Sequence, residues 1–275
     1  MSQQKKKTKK SAGIKVVQVT DPHLFGATDG KLLGLNTDES LRSVVELVKT
    51  EQPDLDIVLA TGDISQDGSE KSYRRFESII SSLQSPSYWL HGNHDNDVAI
   101  LQVLNGNERL SPCVISAGQS WRIIMLNSSI KGEVGGGLAE SELTFLSEKL
   151  EEHSDKFIIV ALHHHPVKMG SAWLDEQMVS NADEFLKIIR KHKQVKALMW
   201  GHVHQETDTT NDNGLRLLSS PSTCVQFKPG QDDFTAGTEA PGYRWLELFE
   251  DGSLDTGVSR VEELKFEVDY TIKGY

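Results

Sequence analysis

Short apolar runs rich in β-branched residues punctuate the chain: IKVVQV (14–19), DIVLAT (56–61), SYWLH (87–91), WRIIMLN (121–127), FIIVAL (157–162) and VKALMW (195–200). Their near-continuous apolar character predicts strands buried on both faces. Between them the spacing becomes helical. Leu41, Val44, Val45 and Val48 fall at i, i+3, i+4 and i+7, behind Thr37 or Asp38 as a cap. Leu143, Leu146 and Leu150 form a second stripe; Phe185, Ile188 and Ile189 form a third, opened by Asn181 with Glu184 three residues on. This alternation predicts an α/β layered architecture with helices covering the sheets. After residue 205, segments 215–219, 223–227 and 243–250 read as short strands, with Asp251-Gly252 as a turn before another. They predict antiparallel additions to the sheet, since no Pro/Gly/Ser linker separates them. The stretch 231–242 is the longest expected loop and the candidate for a mobile flap.

Polar clusters follow the apolar runs directly: Asp21-Pro22-His23, Gly62-Asp63, Gly92-Asn93-His94-Asp95, His163-His164-His165-Pro166 and Gly201-His202-Val203-His204. Imidazole, carboxylate and amide oxygen suit borderline-to-hard divalent metals, and successive strand ends can bring such groups to one point. In Asp21-x-His23 and His202-x-His204, alternate side chains leave a strand on the same side and can grip one ion. Asp63, after Gly62, offers a carboxylate able to bridge two ions, although a turn Asp satisfied by backbone N–H groups is its ordinary explanation. Asn93 and His94 divide the labour: Asn93 binds metal, while His94 contacts a phosphoryl oxygen or protonates a leaving group. Three consecutive histidines cannot all face one way, so one of His163 to His165 is expected to ligate. His153 and His192 sit in charged helical stretches and read as solvated. Seven of the ten histidines therefore stand at strand ends, which chance and core packing do not produce.

Charge narrows the partners. Five of the 29 basic residues are lysines in the first ten positions, leaving 24 basic against 40 acidic residues, a body near −16. A body that acidic argues against nucleic acid as a bulk electrostatic partner. The segment 1–12 reads as a disordered lysine-rich tail and residues 13–275 as one domain. No run approaches the roughly 18 apolar residues of a membrane span, and the basic start lacks the apolar stretch of a secretory signal. Cys113 and Cys224, without C-x-x-C spacing, read as reduced thiols of a cytoplasmic protein.

The order D-x-H … G-D … G-N-H-D … H … G-H-x-H resembles the calcineurin-like metallophosphoesterase superfamily over residues 19 to about 205. The segments DPHLF (21–25), SAWLDEQ (171–177), GHVHQE (201–206), PSTCVQFKP (221–229) and APGYRWLEL (240–248) further resemble the bacterial class III 3′,5′-cyclic-AMP phosphodiesterases. The resemblance implies a four-layer α/β/β/α sandwich of mixed sheets with two divalent ions at the strand ends, iron ahead of manganese or zinc. It implies that Asp21, His23, Asp63 and His204 hold the first ion and Asp63, Asn93, His163 and His202 the second. His163 is chosen because related sequences read H-H-P-P, with His164 as the fallback. His94 becomes the catalytic acid, and His23, Asp63, Asn93, His94 and His204 contact the substrate, a cyclic nucleotide, without nucleic acid, membrane or protein partner. Where many relatives have an acid to orient the catalytic histidine, this chain has Gln66, with Asp67 adjacent as the candidate. Trp173, Phe227 and Phe234 are candidates to stack on adenine, although packing is the ordinary reading of each. The same motifs serve nucleotidases, phosphoprotein phosphatases and lipid diesterases. A non-catalytic scaffold, which would be expected to have lost ligands, and a nuclease, which would need basic stretches, fit less well.

Overall fold

The computed structural model describes residues 13–106, 108–264 and 266–269; the expected lysine-rich tail over 1–12 lies outside the described residues. The chain runs β1 (Ile14–Val19), a small hairpin β2 (Lys31–Leu32) and β3 (Leu35–Asn36), α1 (Thr37–Glu51), β4 (Ile57–Ala60), α2 (Glu70–Ile80), β5 (Ser87–Trp89) and α3 (Asp97–Leu104). It continues through β6 (Cys113–Ala117), β7 (Trp121–Met125), α4 (Glu140–Glu152), β8 (Phe157–Leu162), α5 (Ala172–Asp175), α6 (Ala182–Ile189) and β9 (Val195–Trp200). It closes with β10 (Thr207–Thr210), β11 (Arg216–Ser219), β12 (Gly242–Leu248) and β13 (Leu254–Arg260).

Besides the β2-β3 hairpin, two large sheets form among the described residues, in the orders β13-β12-β1-β4-β5 and β10-β11-β9-β8-β7-β6. Alternation of side chains sorts the buried residues into three apolar layers. Val16 and Leu59 meet Ile123, Ile159, Ala161 and Met199 between the sheets. Val17, Val19 and Val58 turn outward onto Leu41, Val44, Val48, Phe76 and Ile100 of α1, α2 and α3. On the far side Ile158, Val160, Leu162 and Leu198 pack against Leu146, Leu150, Phe185 and Ile189 of α4 and α6. Three apolar seams separate four layers, so the expected α/β/β/α sandwich is the fold. Both faces of the central strands are covered, which is why their sequences show no polar alternation.

Several local expectations change. The cap of α1 is Asn36, whose side chain accepts from Glu39 N, not Thr37 or Asp38. Asn181 stands at the head of α6 but does not cap it; its amide pairs with both backbone groups of Leu138 at 2.8 and 2.9 Å. Segment 223–227 forms no strand, only a bridge between Phe227 and Ala236. β12 and β13 are antiparallel additions as expected, but β11 runs parallel to β9. In consequence β1, β4 and β5 in one sheet, and β7, β8, β9 and β11 in the other, run parallel within each sheet. The loops following β1, β4, β5, β8 and β9 bring their polar clusters together.

Candidate metal centre

The strand ends are cross-tied before any ligand is considered. Asp21 N–H donates to Gly62 O at 3.1 Å, His23 N–H to Asp63 O at 3.0 Å, and Gly201 N–H to His163 O at 3.1 Å. The two sheets meet through Gln18, whose amide donates to Trp200 O at 3.0 Å. Asp95, the last residue of its cluster, accepts from Ile64 N, Ser65 N, Gly92 N and Tyr73 OH, fastening two of the loops to each other. Glycine is required where the loops nearly touch. A Cβ on Gly62, at φ +96°, would collide with Nδ1 of His163, and one on Gly92 with the Asp63 carboxylate.

Backbone strain marks the same place. Among the described residues eight non-glycine residues have positive φ, and five of them are Asp21, His23, Asp63, His202 and His204. Each costs roughly 1–2 kcal/mol relative to an ordinary conformation. Such residues persist where the surroundings over-determine them, commonly at functional sites.

The predicted side chains converge. His23 Nε2 lies 3.2 Å from His204 Nε2, and His204 Nε2 lies 3.4 Å from Asp21 Oδ1. His163 Nε2 lies 3.3 Å from both Asn93 Oδ1 and Asp63 Oδ2, and His23 Nε2 is 3.9 Å from the latter. The ligand atoms of Asp21, His23 and His204, and of Asp21, Asp63 and His163, all fall within 4.8 Å of one another in each group. A further group joins His163, His164 and His202. His94 stands at the half-exposed edge, its ring edge-on to His23 with centroids 5.1 Å apart, and its N–H donates to Asp63 Oδ1 at 2.9 Å.

Hydrogen bonds fix the tautomers in favour of a cation. The Nδ1–H of His163 donates to Thr61 O at 2.7 Å, that of His204 to Val225 O at 2.7 Å, and that of His23 to Gln66 Oε1 at 2.6 Å. In the neutral ring each Nε2 therefore presents a lone pair to the site. His202 is reversed: Nε2–H donates to Gln177 Oε1 at 2.9 Å, while Nδ1 is buried with no hydrogen-bond partner. His164 also has partners away from the centre, Nε2–H donating to Val134 O and Nδ1 facing Ser128 Oγ. His165 stacks on His202, with centroids 5.9 Å apart.

Protonation tells the same story. Burial pushes His23 down to about 3 and holds His202 well below its usual range, so both imidazoles stay neutral. Burial also opposes charge on His163, but the adjacent Asp63 carboxylate prevails and raises it to about 9. Burial likewise works against the Asp63 anion, yet His163 beside it keeps that carboxyl well below the usual range. A shared proton thus partly offsets two buried carboxylates facing several lone pairs. Divalent cations suit that donor set better, and the buried His202 Nδ1, which has no hydrogen-bond partner, is an atom such an ion would satisfy.

Some expectations fail here. Asp67 accepts from Gly26 N, Ser65 Oγ and Ser69 N, and so builds a turn rather than orienting His94. Gln66 orients His23 instead. Phe227 is buried and lies flat on His204, with centroids 4.0 Å apart, and Trp173 and Phe234 pack edge-on against it. These rings pack on His204 and on one another, the ordinary reading of each. Sequence reasoning had no role for Gln177 or Tyr73, whose contacts join residues far apart in the chain.

Fold and site together define a metal-dependent phosphoesterase. Asp, Asn and His at converging strand ends, with one histidine at the mouth, make a site for divalent metal beside an open cavity. The chain belongs to the calcineurin-like phosphoesterase family, which it matches over residues 14–206. It is 45% identical to the 3′,5′-cyclic adenosine monophosphate phosphodiesterase CpdA of Pseudomonas aeruginosa over 96% of both chains. It is 41% identical to the protein of the same name from Escherichia coli K12, again over 96% of each. Among solved structures, a dimetal phosphatase from Danio rerio shares the fold, with a TM-score of 0.70 at 15% identity, covering 91% of this chain and 99% of that one. Among the described residues no helix is long and apolar enough to cross a membrane.

Proposed function

We propose that this chain hydrolyses 3′,5′-cyclic AMP to 5′-AMP at a dinuclear divalent-metal centre, with residues 13–275 acting as one catalytic domain. The observation that carries this reading is the likeness, over 96% of each chain, to relatives named for that activity. The converging carboxylates and imidazoles support it. In this reading Asp21, His23, Asp63 and His204 hold one ion, and Asp63, Asn93, His163 and His202 the other, with iron favoured over manganese or zinc. Bound divalent ions would supply Lewis acidity to the phosphoryl oxygens and bring the pKa of the attacking water toward neutral. The chain's own residues position and discharge the reaction. Asp63 sits between the two ligand sets, and the Asn93 amide and the His94 imidazole face the phosphoryl group. As the P–O3′ bond breaks, the His94 imidazolium passes its proton to O3′. A cytoplasmic setting is proposed with it: Cys113 and Cys224 are free thiols, and burial pushes both up to about 12, leaving them unreactive.

The test is an assay after chelation and re-addition of iron, manganese or zinc singly. Chelated protein is expected to lose at least about 10²-fold in turnover of cyclic AMP and to regain it with one or more of these metals. Cyclic GMP, an aryl phosphodiester and a phosphopeptide run in parallel. Fast turnover of the phosphopeptide with none of cyclic AMP would overturn the reading.

Gln66 supplies a narrower prediction. Gln66→Leu removes the acceptor at 2.6 Å that fixes the His23 tautomer. Metal affinity is expected to fall about 10–100-fold, read by competition with a chromogenic chelator, while Gln66→Glu retains an acceptor and stays near wild type. Equal affinities in all three proteins would count against the role.

A further inference from the structure

Among the described residues the large apolar side chains that stand exposed are Val98 (65%), Leu101 (40%), Ile130 (41%) and Val134 (55%). They are not scattered. Val98 and Leu101 belong to the first turns of α3, directly after the Asn93-His94 loop, and Ile130 and Val134 to the connection between β7 and α4. Val98 and Ile130 line one cavity of about 530 Å³ together with Asn93 and His94. That volume lies within the range of small-molecule sites, which pair apolar walls with a few polar groups.

The wall carrying Ile130 is built and held. Ser129 pairs with Gly136 in an antiparallel bridge, and Gly137 N–H donates to Ser128 O at 2.9 Å. Gly136 N–H donates to Gln177 O at 3.2 Å. Side chains at 136 and 137 would strike the His164 ring and the Ile130 side chain, so the glycines let this connection lie close against the site. The rest of the lining is polar and includes Asn93 and His94, the residues proposed to face the phosphoryl group. Lys131 adds one cation to a lining that otherwise carries Asp67, Asp95 and Asp97.

A nucleotide has this same division, an anionic phosphodiester joined to a flat apolar-faced base. The aromatic rings that could have stacked on a base, Trp173, Phe227 and Phe234, are packed on one another and on His204. We propose that Val98 and Ile130 form the seat of the purine base and are specificity-determining residues of this site. The inference rests on the cyclic-nucleotide reading and extends it by assigning the base to the apolar part of the cavity lining. Burying two aliphatic side chains against a purine removes enough apolar surface to matter at the level of about tenfold in affinity.

The experiment uses the metal-loaded full chain and an aryl phosphodiester as reporter, with AMP and ribose 5-phosphate as inhibitors. AMP carries the base and ribose 5-phosphate lacks it. Wild-type protein is expected to bind AMP at least about tenfold more tightly. In Val98→Ser combined with Ile130→Ser, the KM for cyclic AMP and the Ki for AMP are expected to rise about tenfold together, with the Ki for ribose 5-phosphate unmoved. Val98→Ser alone, on an exposed position of α3, is expected to raise both by a few-fold and serves if the pair misfolds. Equal inhibition of wild type by AMP and ribose 5-phosphate would overturn the seat and return the patch to a role as plain protein surface. So would variants that weaken both inhibitors alike. Failure to hydrolyse cyclic AMP at all is a separate result, read from the wild type, and strikes the substrate assignment instead.

Discussion

Asp63→Ala is expected to leave the protein folded but almost free of metal, with turnover down about 10³-fold or more. The carboxylate stands between the two proposed ligand sets, 3.3 Å from His163 Nε2 and 3.9 Å from His23 Nε2 through the same buried Oδ2. Its other oxygen accepts the His94 N–H at 2.9 Å. Removing it deletes negative charge from both halves of the site, where lost charge stabilisation of several kcal/mol corresponds to a thousandfold or more in rate. Elemental analysis of the purified variant is the primary measurement, with turnover second. Two equivalents of metal retained per chain would end the bridging assignment. Asp63→Asn, which keeps the acceptor for His94 but not the charge, should fall between the two.

His94→Ala is expected to separate chemistry from metal binding. The ring sits at the half-exposed rim beside the cavity and contacts His23 edge-on, and the backbone N–H of His94 donates to Asp63. Alanine keeps that N–H, so metal content should stay near wild type while turnover of cyclic AMP falls about 10²–10⁴-fold. The choice of substrate sharpens this. A nitrophenyl phosphodiester has a leaving group that needs no proton, so its deficit should be far smaller than that for cyclic AMP. An equal deficit on both would assign His94 to binding the phosphoryl group and not to proton transfer.

How much of this was legible beforehand depended on the range of the interaction. The metal cluster could be read because each piece is local: Asp21-x-His23 or His202-x-His204 announces itself within three residues. The strands over 14–19, 157–162 and 195–200 were read to the residue, because burial on both faces leaves an unbroken apolar run. Contacts formed only by folding were invisible. Gln66 was read as occupying the place of an acid beside His94, and nothing local indicated that its amide would turn to His23, 43 positions away. Gln177 lies 25 positions from His202, in a segment whose own pattern carries no metal chemistry. Phe227 was offered for stacking, and it does stack, on a histidine. α2 and α3 were not among the expected helices, although Ser69 and Asn96 cap them; apolar residues on the exposed side of α3, Val98 and Leu101, blur its helical period.

The left-handed backbone at Asp21, His23, Asp63, His202 and His204 has a consequence for how such a protein can change. Glycine at any of these positions would relax the chain and cost the molecule a proposed ligand. Selection for thermal robustness and selection for turnover therefore pull on the same five residues in opposite directions. Hardier descendants of this enzyme would have to gain their margin in the helices and the sheet edges, leaving the rim as tense as it is.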